Sequence, residues 1–474
     1  MTSRGPWPPQ LSVFFLKDDV SVRDYQLECS RICARRNGFV VAPCASGKTL
    51  IGLLIAVRNG GRALILTPRY VDQWCRMLCD FFSTFDGGGV VQYKSNIRSS
   101  CTPDVVVATY ASFLAKPRTA YAKLLRSMRY KTLVLDEAHN AASPAHLRLI
   151  KELHAEYIIG LTATKVREDK ELEKLEAYIG DGTIHTIDRA PLVEQNYVAR
   201  VRCVYMRVPY DDLLESIVPR TMALTLHPHK VRALCGSLIR LSQRGHKILV
   251  FCDDIFCLQW VHDVVRRWTA VPIVGAISMK TVESQRREML KAFEERAGAA
   301  CLFLSRTGDE ALNLPKASAG VVMHNYWASR RQAVQRIGRI VRIGSECVPV
   351  FIVLISDHPR ELQATTKRRE YLDEHGFVAT LATYDPTTDT LAPPIDHAAY
   401  AHALRQLLGG VLDPYDEARR RTAGVGGEGV LLVWSNELTA LCASRRWRLA
   451  HRATTDLSWN CVSTSIDTLG TSRA

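Results

Sequence analysis

The chain has 474 residues, 47% of them hydrophobic and 23% charged, with a formal net charge of +14. That length exceeds one ordinary core and predicts two or three domains of globular composition. No apolar run reaches the roughly 18 residues that a membrane helix needs, so no membrane partner is expected. The positive balance predicts an anionic partner, with nucleic acid first. The 14 cysteines contain no Cys-x-x-Cys pair and no plausible four-ligand metal set. Cys29/Cys33 and Cys75/Cys79 have i,i+4 spacings and are expected on core faces of helices. The expected compartment is reducing, cytosol or nucleus.

In chain order, residues 1–19 read as a proline-containing lead-in. Leu11–Leu16 is too short and too soon followed by charge for a signal peptide. From Val22 to about Ile187, short apolar runs alternate with helix-like stretches: Gly38–Val41, Ala63–Leu66, Asp104–Ala108, Lys131–Leu135 and Tyr157–Leu161. Continuous apolar strands separated by helices predict a parallel sheet covered on both faces. The pattern repeats from Tyr197, with His246–Phe251, Ala300–Leu304, Gly320–Met323 and Val348–Leu354. After Phe377 the character changes to turn-rich sequence, a glycine break at Gly424–Gly427, and a basic aromatic patch, Arg445-Arg446-Trp447-Arg448.

Two motifs in the first block carry chemistry. Gly47-Lys48-Thr49 follows an apolar strand and opens a helix, the context of a phosphate-binding P-loop. Backbone N–H groups and the helix N-terminus would cradle phosphate, Lys48 would reach the β/γ-phosphates, and the Thr49 hydroxyl would ligate magnesium. The first glycine of such loops is Ala42 here, and Ala45 stands where many have glycine. Alanine fits there only if φ stays negative. About ninety residues on, Thr132–Leu135 runs into Asp136-Glu137-Ala138-His139. Asp136 would complete the protein contacts of Mg2+ and Glu137 would polarise the attacking water of ATP hydrolysis.

With these motifs in order, residues 20–378 resemble superfamily 2 helicases, and specifically XPB-type DNA helicases and translocases. Arg23-Asp24-Tyr25-Gln26 resembles the family's opening R-x-Y-Q, whose glutamine reads adenine. Pro43-Cys44-Ala45-Ser46-Gly47-Lys48-Thr49 resembles its PCGAGKT. Leu66-Thr67-Pro68 with Gln73-Trp74, and Ala108-Thr109-Tyr110, resemble strand-contacting motifs. Gly160–Thr164 followed by Arg167-Glu168-Asp169 resembles motif III plus the family's Arg-Glu-Asp triplet. Gln195–Ala199 resembles the start of the second lobe and Lys247–Phe251 motif IV. Gly308-Asp309 with Asn313-Leu314-Pro315 resembles motif V, and Ser329–Arg342 the family's GSRRQEAQRLGRxLR. Thr365–Leu372 with Gly376-Phe377 resembles the segment closing that lobe.

The resemblance implies an α/β fold: two tandem RecA-like parallel-sheet domains over residues 20–192 and 193–378, with a small C-terminal accessory segment, 379–474, of unknown role. It implies the helicase core alone, without an N-terminal damage-recognition domain. ATP and Mg2+ are the implied cofactors. The implied nucleotide contacts are Arg23, Gln26, Cys44, Ala45, Ser46, Gly47, Lys48, Thr49, Gly308 and Asp309. Arg339 and Arg342 would act as arginine fingers across a cleft between the lobes. His139 would couple ATP state to strand grip through Gln335 or the hydroxyls of Thr162 and Thr164. Thr67, Arg69 and Thr109 would bind the DNA backbone, with Arg167, Glu168 and Asp169 at the duplex junction. Expected partners are double-stranded or forked DNA and transcription or repair complex subunits. The expected compartment is the nucleus, or host nucleus or cytoplasm for a viral product. An iron–sulfur cluster is not expected, because Cys29, Cys33, Cys44, Cys75, Cys79 and Cys101 lack the spacing.

Two other readings compete. A restriction-type or remodeller translocase shares the motif set but lacks the Arg-Glu-Asp triplet and the Ser329–Arg342 string. A nucleic-acid-binding scaffold with impaired ATP turnover is motivated by Ala42 and Ala45.

Overall fold

The computed structural model describes residues 14–69, 71–84, 89–99, 103–163, 171–180, 182–306, 317–323, 330–341, 347–392 and 394–408. The chain divides into two compact units, with the boundary after Val198.

The first unit contains β1 (Phe14–Leu16), β2 (Gly38–Val41), β3 (Ala63–Thr67), β4 (Phe82–Thr84), β5 (Val90–Gln92), β6 (Val105–Thr109), β7 (Arg129–Asp136), β8 (His154–Thr162) and β9 (Thr183–Thr186). Seven of these form one sheet in the order β5-β6-β3-β7-β8-β2-β9, with every pairing parallel. β1 and β4 form a separate antiparallel pair. The central strands are largely apolar because helices cover both faces: β3 is buried along its whole length. The Lys48–Asn59 helix that follows β2 is buried from Leu50 to Val57. Such a helix belongs inside the layer stack rather than at its surface.

The second unit repeats the architecture with β10 (Arg202–Val208), β11 (Lys247–Phe251), β12 (Ile273–Ile277), β13 (Ala300–Leu304), β14 (Ala319–Val322), β15 (Val350–Ser356) and β16 (Ala379–Thr383). Their order is β12-β13-β11-β14-β15-β10-β16, again all parallel. The parallel tandem sheets expected from the two alternating blocks are present. The start of the segment set apart in the sequence, residues 379–383, forms the edge strand of this sheet. Tyr384, Ala392, Tyr400, Ala401 and Leu404 then join its core. Trp260 Nε1 donates to the Tyr400 hydroxyl at 2.7 Å, and that hydroxyl donates to the Leu226 carbonyl at 2.8 Å.

Cys29 and Cys33 are buried on one helix face, as their spacing predicts. Cys75 and Cys79 depart from that expectation. The Val71–Phe81 helix buries Trp74 and Leu78, which leaves Cys75 half-buried and Cys79 exposed.

Candidate active site

The phosphate loop leaves the sheet at Ala42, whose N–H donates to the Thr162 carbonyl at 2.9 Å. Ser46 Oγ folds back to donate to the Pro43 carbonyl at 2.7 Å. Gly47 is the N-cap of the Lys48–Asn59 helix, with φ 79°. Only glycine fits there, because a Cβ would lie 2.5 Å from Gln26 Nε2. The buried Gln26 braces the loop from the preceding helix. Its Nε2 donates to the Ser46 carbonyl at 3.0 Å, and its Oε1 accepts from the Arg23 N–H at 3.2 Å. Tyr25 Oη donates to the same Ser46 carbonyl at 2.6 Å. Arg23 reaches the Tyr197 carbonyl at 3.1 Å and lies 4.7 Å from that ring's centroid.

Ala45 overturns the condition set for alanine in this loop. Its φ is 64°, so the loop keeps the left-handed geometry of glycine and the methyl group bears roughly 1–2 kcal/mol of strain.

The acidic pair stands where β7 ends, between β3 and β8. Asp136 Oδ2 accepts from the Thr67 hydroxyl at 3.0 Å and from Trp74 Nε1 at 2.9 Å, while Oδ1 accepts from the Glu137 N–H at 3.0 Å. Tyr110 Oη donates to the Asp136 carbonyl at 2.9 Å. Glu137 turns the chain with φ 45°, the kind of local strain that collects at working sites. Burial pushes Asp136 up to about 6; Glu137 adds to the shift, against Trp74, Thr67 and Lys48. Lys48 is raised as well, for a different reason. Burial works against its ammonium, but Cys44, Glu137 and Asp136 outweigh burial and hold it above its ordinary value. Its Nζ lies 3.4 Å from the Ala42 carbonyl. The Thr49 hydroxyl accepts from Gln73 Nε2 at 3.4 Å. A buried carboxylate whose charge is poorly compensated, coupled to the lysine of a P-loop, fits a divalent cation held with a phosphate chain.

His139 is buried in the short turn after the pair. Its Nε2 lies 3.2 Å from Asn140 Nδ2, and its Nδ1 lies 3.6 Å from Glu137 Oε2. Thr162, one of its expected partners, is buried at the end of β8 and ties that strand to the loop through Ala42.

Among the expected DNA contacts, Thr67 needs correction. It is wholly buried and its hydroxyl is spent on Asp136, so it positions the acid pair instead. The Thr109 hydroxyl caps the Tyr110–Leu114 helix by accepting from the Ser112 N–H at 3.0 Å. Arg69 is exposed just beyond β3. Three residues of the site were given no individual role in the sequence: Tyr25, Trp74 and Tyr110. Each lies inside a quoted motif, but nothing local says that its polar tip turns inward.

In the second unit, the Arg330–Ile337 helix carries Gln335, which is half-buried. Arg336 is not part of a solvated basic face. It is 1% exposed, ion-paired with Asp253 and stacked 4.9 Å from the Phe251 ring centroid. Arg339 follows in the turn that closes the helix, with its N–H donating to the Arg336 carbonyl at 3.1 Å. Thr164, Arg167, Glu168, Asp169, Gly308, Asp309, Arg342 and the Arg445–Arg448 patch lie outside the described residues.

The model of the family described as ERCC3/RAD25/XPB C-terminal helicase matches residues 192–422, and that of the type III restriction enzyme res subunit matches residues 19–167. The helicase domain of Pyrococcus furiosus Hef has a similar fold, with a TM-score of 0.51 and 17% identity, covering 73% of this chain and 98% of that one. Two parallel-sheet units, with Gly47-Lys48-Thr49 after β2 and Asp136-Glu137-Ala138-His139 at the end of β7, match the architecture of tandem RecA-like helicase domains. The XPB subunit of Danio rerio is 28% identical over 388 residues, 76% of this chain and 48% of the relative. The XPB2 subunit of Arabidopsis thaliana is 29% identical over 413 residues, 81% and 52% respectively, and the XPB subunit of Encephalitozoon cuniculi is 27% identical over 442 residues, 88% and 64%. The chain is thus similar to XPB-type helicases, whose C-terminal family model matches residues 192–422. It spans about half the length of the first two of these relatives.

Proposed function

We propose that this chain is an ATP-driven DNA helicase or translocase, moving 3′-to-5′ and opening or tracking duplex DNA. The observation that carries this reading is the electrostatic coupling of Lys48 to Asp136 and Glu137, which joins P-loop and acid pair into one phosphate-handling site. Bound Mg2+ would supply charge neutralisation at the β- and γ-phosphates. Lys48 and the N–H groups after Gly47 bind the phosphate chain. Thr49 and Asp136 would hold the cation, with Thr67 and Trp74 fixing the carboxylate. Glu137 accepts a proton from the attacking water. Arg339 and Arg342 are the proposed guanidinium donors to transition-state charge, and Arg69 and Thr109 the proposed contacts to DNA phosphates. Arg167-Glu168-Asp169 is proposed for the duplex junction.

The XPB relatives are described as helicase/translocase subunits of general transcription and DNA repair factor IIH. That description supports a nuclear role in transcription or repair, with subunits of such a complex as partners. No helix among the described residues is long and apolar enough to cross a membrane.

The test is ATP turnover with and without DNA. Wild type should show DNA-stimulated hydrolysis, and Glu137→Gln should lose at least roughly 100-fold in kcat while still binding nucleotide. Translocation and strand separation on forked, blunt and single-stranded DNA then distinguish unwinding from tracking. A second reading, a scaffold with impaired turnover, has the left-handed Ala45 in its favour. DNA binding without DNA-stimulated hydrolysis in the wild type would establish it and sink the helicase reading.

A further inference from the structure

The second unit carries a histidine cluster that ATP hydrolysis does not use. Three chain segments converge on it. Asp211 lies just beyond β10, His229 sits in the first turn of the Pro228–Gln243 helix, and His397 opens the His397–Leu408 helix. One ligand atom from each of these three side chains lies within 4.8 Å of the other two. The His229 and His397 rings stand edge to face with centroids 4.4 Å apart.

Behind them the fully buried His227 places Nε2 at 3.1 Å from Asp211 Oδ1. The same oxygen accepts from the Leu213 N–H at 3.0 Å. These two contacts fix the carboxylate. His227 Nδ1 and His229 Nδ1 are buried with no hydrogen-bond partner among the described residues. Buried ring nitrogens without partners are costly, and two imidazoles beside an oriented carboxylate are a donor set that a cation satisfies.

We propose that Asp211, His229 and His397 bind one first-row transition-metal dication of the zinc class. Two nitrogen ligands disfavour calcium and magnesium, which take oxygen, and suit zinc in a site of three protein ligands plus water. Asp211 is exposed and the two histidines are half-buried, which leaves the ion a path from solvent. His227 serves as the residue that orients the carboxylate ligand. The bound ion would pin the His397–Leu408 helix to the start of the Pro228–Gln243 helix, and so would staple the chain beyond β16 onto the second unit.

The full-length chain, stripped with chelator, is titrated with Zn2+ and separately with Co2+. The expected result is one equivalent of zinc retained through gel filtration, visible d–d absorption from the cobalt form, and a higher melting temperature with metal. His229→Gln with His397→Gln should lower affinity by at least roughly 100-fold, and His227→Phe by roughly 10- to 100-fold. Asp136→Asn should keep the full equivalent, which separates this ion from any held at the nucleotide site. Absence of both retained zinc and cobalt absorption in the wild type overturns the proposal, whatever the variants do. Retention of the equivalent by a folded double variant overturns it as well. None of these readouts depends on ATP turnover.

Discussion

Ala45 shows how one methyl group is carried at the nucleotide site. Its backbone is left-handed, and the residue is exposed, so no packing is lost by removing the side chain. Ala45→Gly should therefore stabilise the protein by about 1 kcal/mol, read as a shift in the urea midpoint; an unchanged or lowered midpoint would mean that the loop is not strained. Asp136 yields a pH prediction. Its folded value of about 6 lies above its ordinary 3.8, so the folded state binds more protons between those values. Stability therefore falls as pH rises from about 4 to about 6 and stays at the lower level above that. Asp136→Asn should make the magnesium-free protein more stable than wild type above pH 6, by about 1–3 kcal/mol, with the gap closing below pH 4. A difference independent of pH would show that burial does not penalise this carboxylate.

At the scale of elements, buried charge fixes how helices sit on the second sheet. Lys230 in the Pro228–Gln243 helix is wholly buried and bonds both oxygens of Glu361 at 2.9 Å. Glu361, in the Pro359–Glu374 helix, also accepts from the Ser356 N–H at the end of β15. Removing one partner leaves an uncompensated buried charge, so Lys230→Met should cost roughly 3–5 kcal/mol. Adding Glu361→Gln neutralises that charge and keeps an acceptor for Ser356, and should restore at least half of the loss. A double variant as unstable as the single one would contradict this. Lys247 acts differently: its ammonium donates to the Phe293 and Arg296 carbonyls, each at 2.5 Å, and caps the end of the Glu283–Glu295 helix. Neither arrangement is legible locally, because the partners lie far along the chain.

At the scale of the molecule, each unit closes its own core. One cluster gathers residues from Phe39 to Ile179 and the other from Val208 to Leu404. Residues 1–198 produced alone should thus melt cooperatively and bind nucleotide through Lys48 and Thr49. Loss of a cooperative melt in that piece would show that the first core is incomplete by itself. The placement of residues 379–404 in the second core illustrates what composition hides. Their turn-rich sequence reads as an appendage, yet β16 pairs with β10 and Tyr400 is buried against Trp260.

The sequence by itself determined the fold class, the central strands and the residues of the proposed phosphate site. Those rest on short-range patterns: continuous apolar runs for parallel strands, Gly47-Lys48-Thr49 opening a helix, and two carboxylates ending β7. Such features follow from neighbours along the chain, where periodicity and spacing act directly. Only the tertiary structure decided that Thr67 serves Asp136 instead of DNA, that Arg336 is buried against Asp253, and that Ala45 adopts a left-handed backbone. The same is true of the meeting of Asp211, His229 and His397. Each depends on which side chain is aimed at which partner across the sheet, and on how burial then prices an unpaired charge. Those quantities exist only once distant segments are packed together.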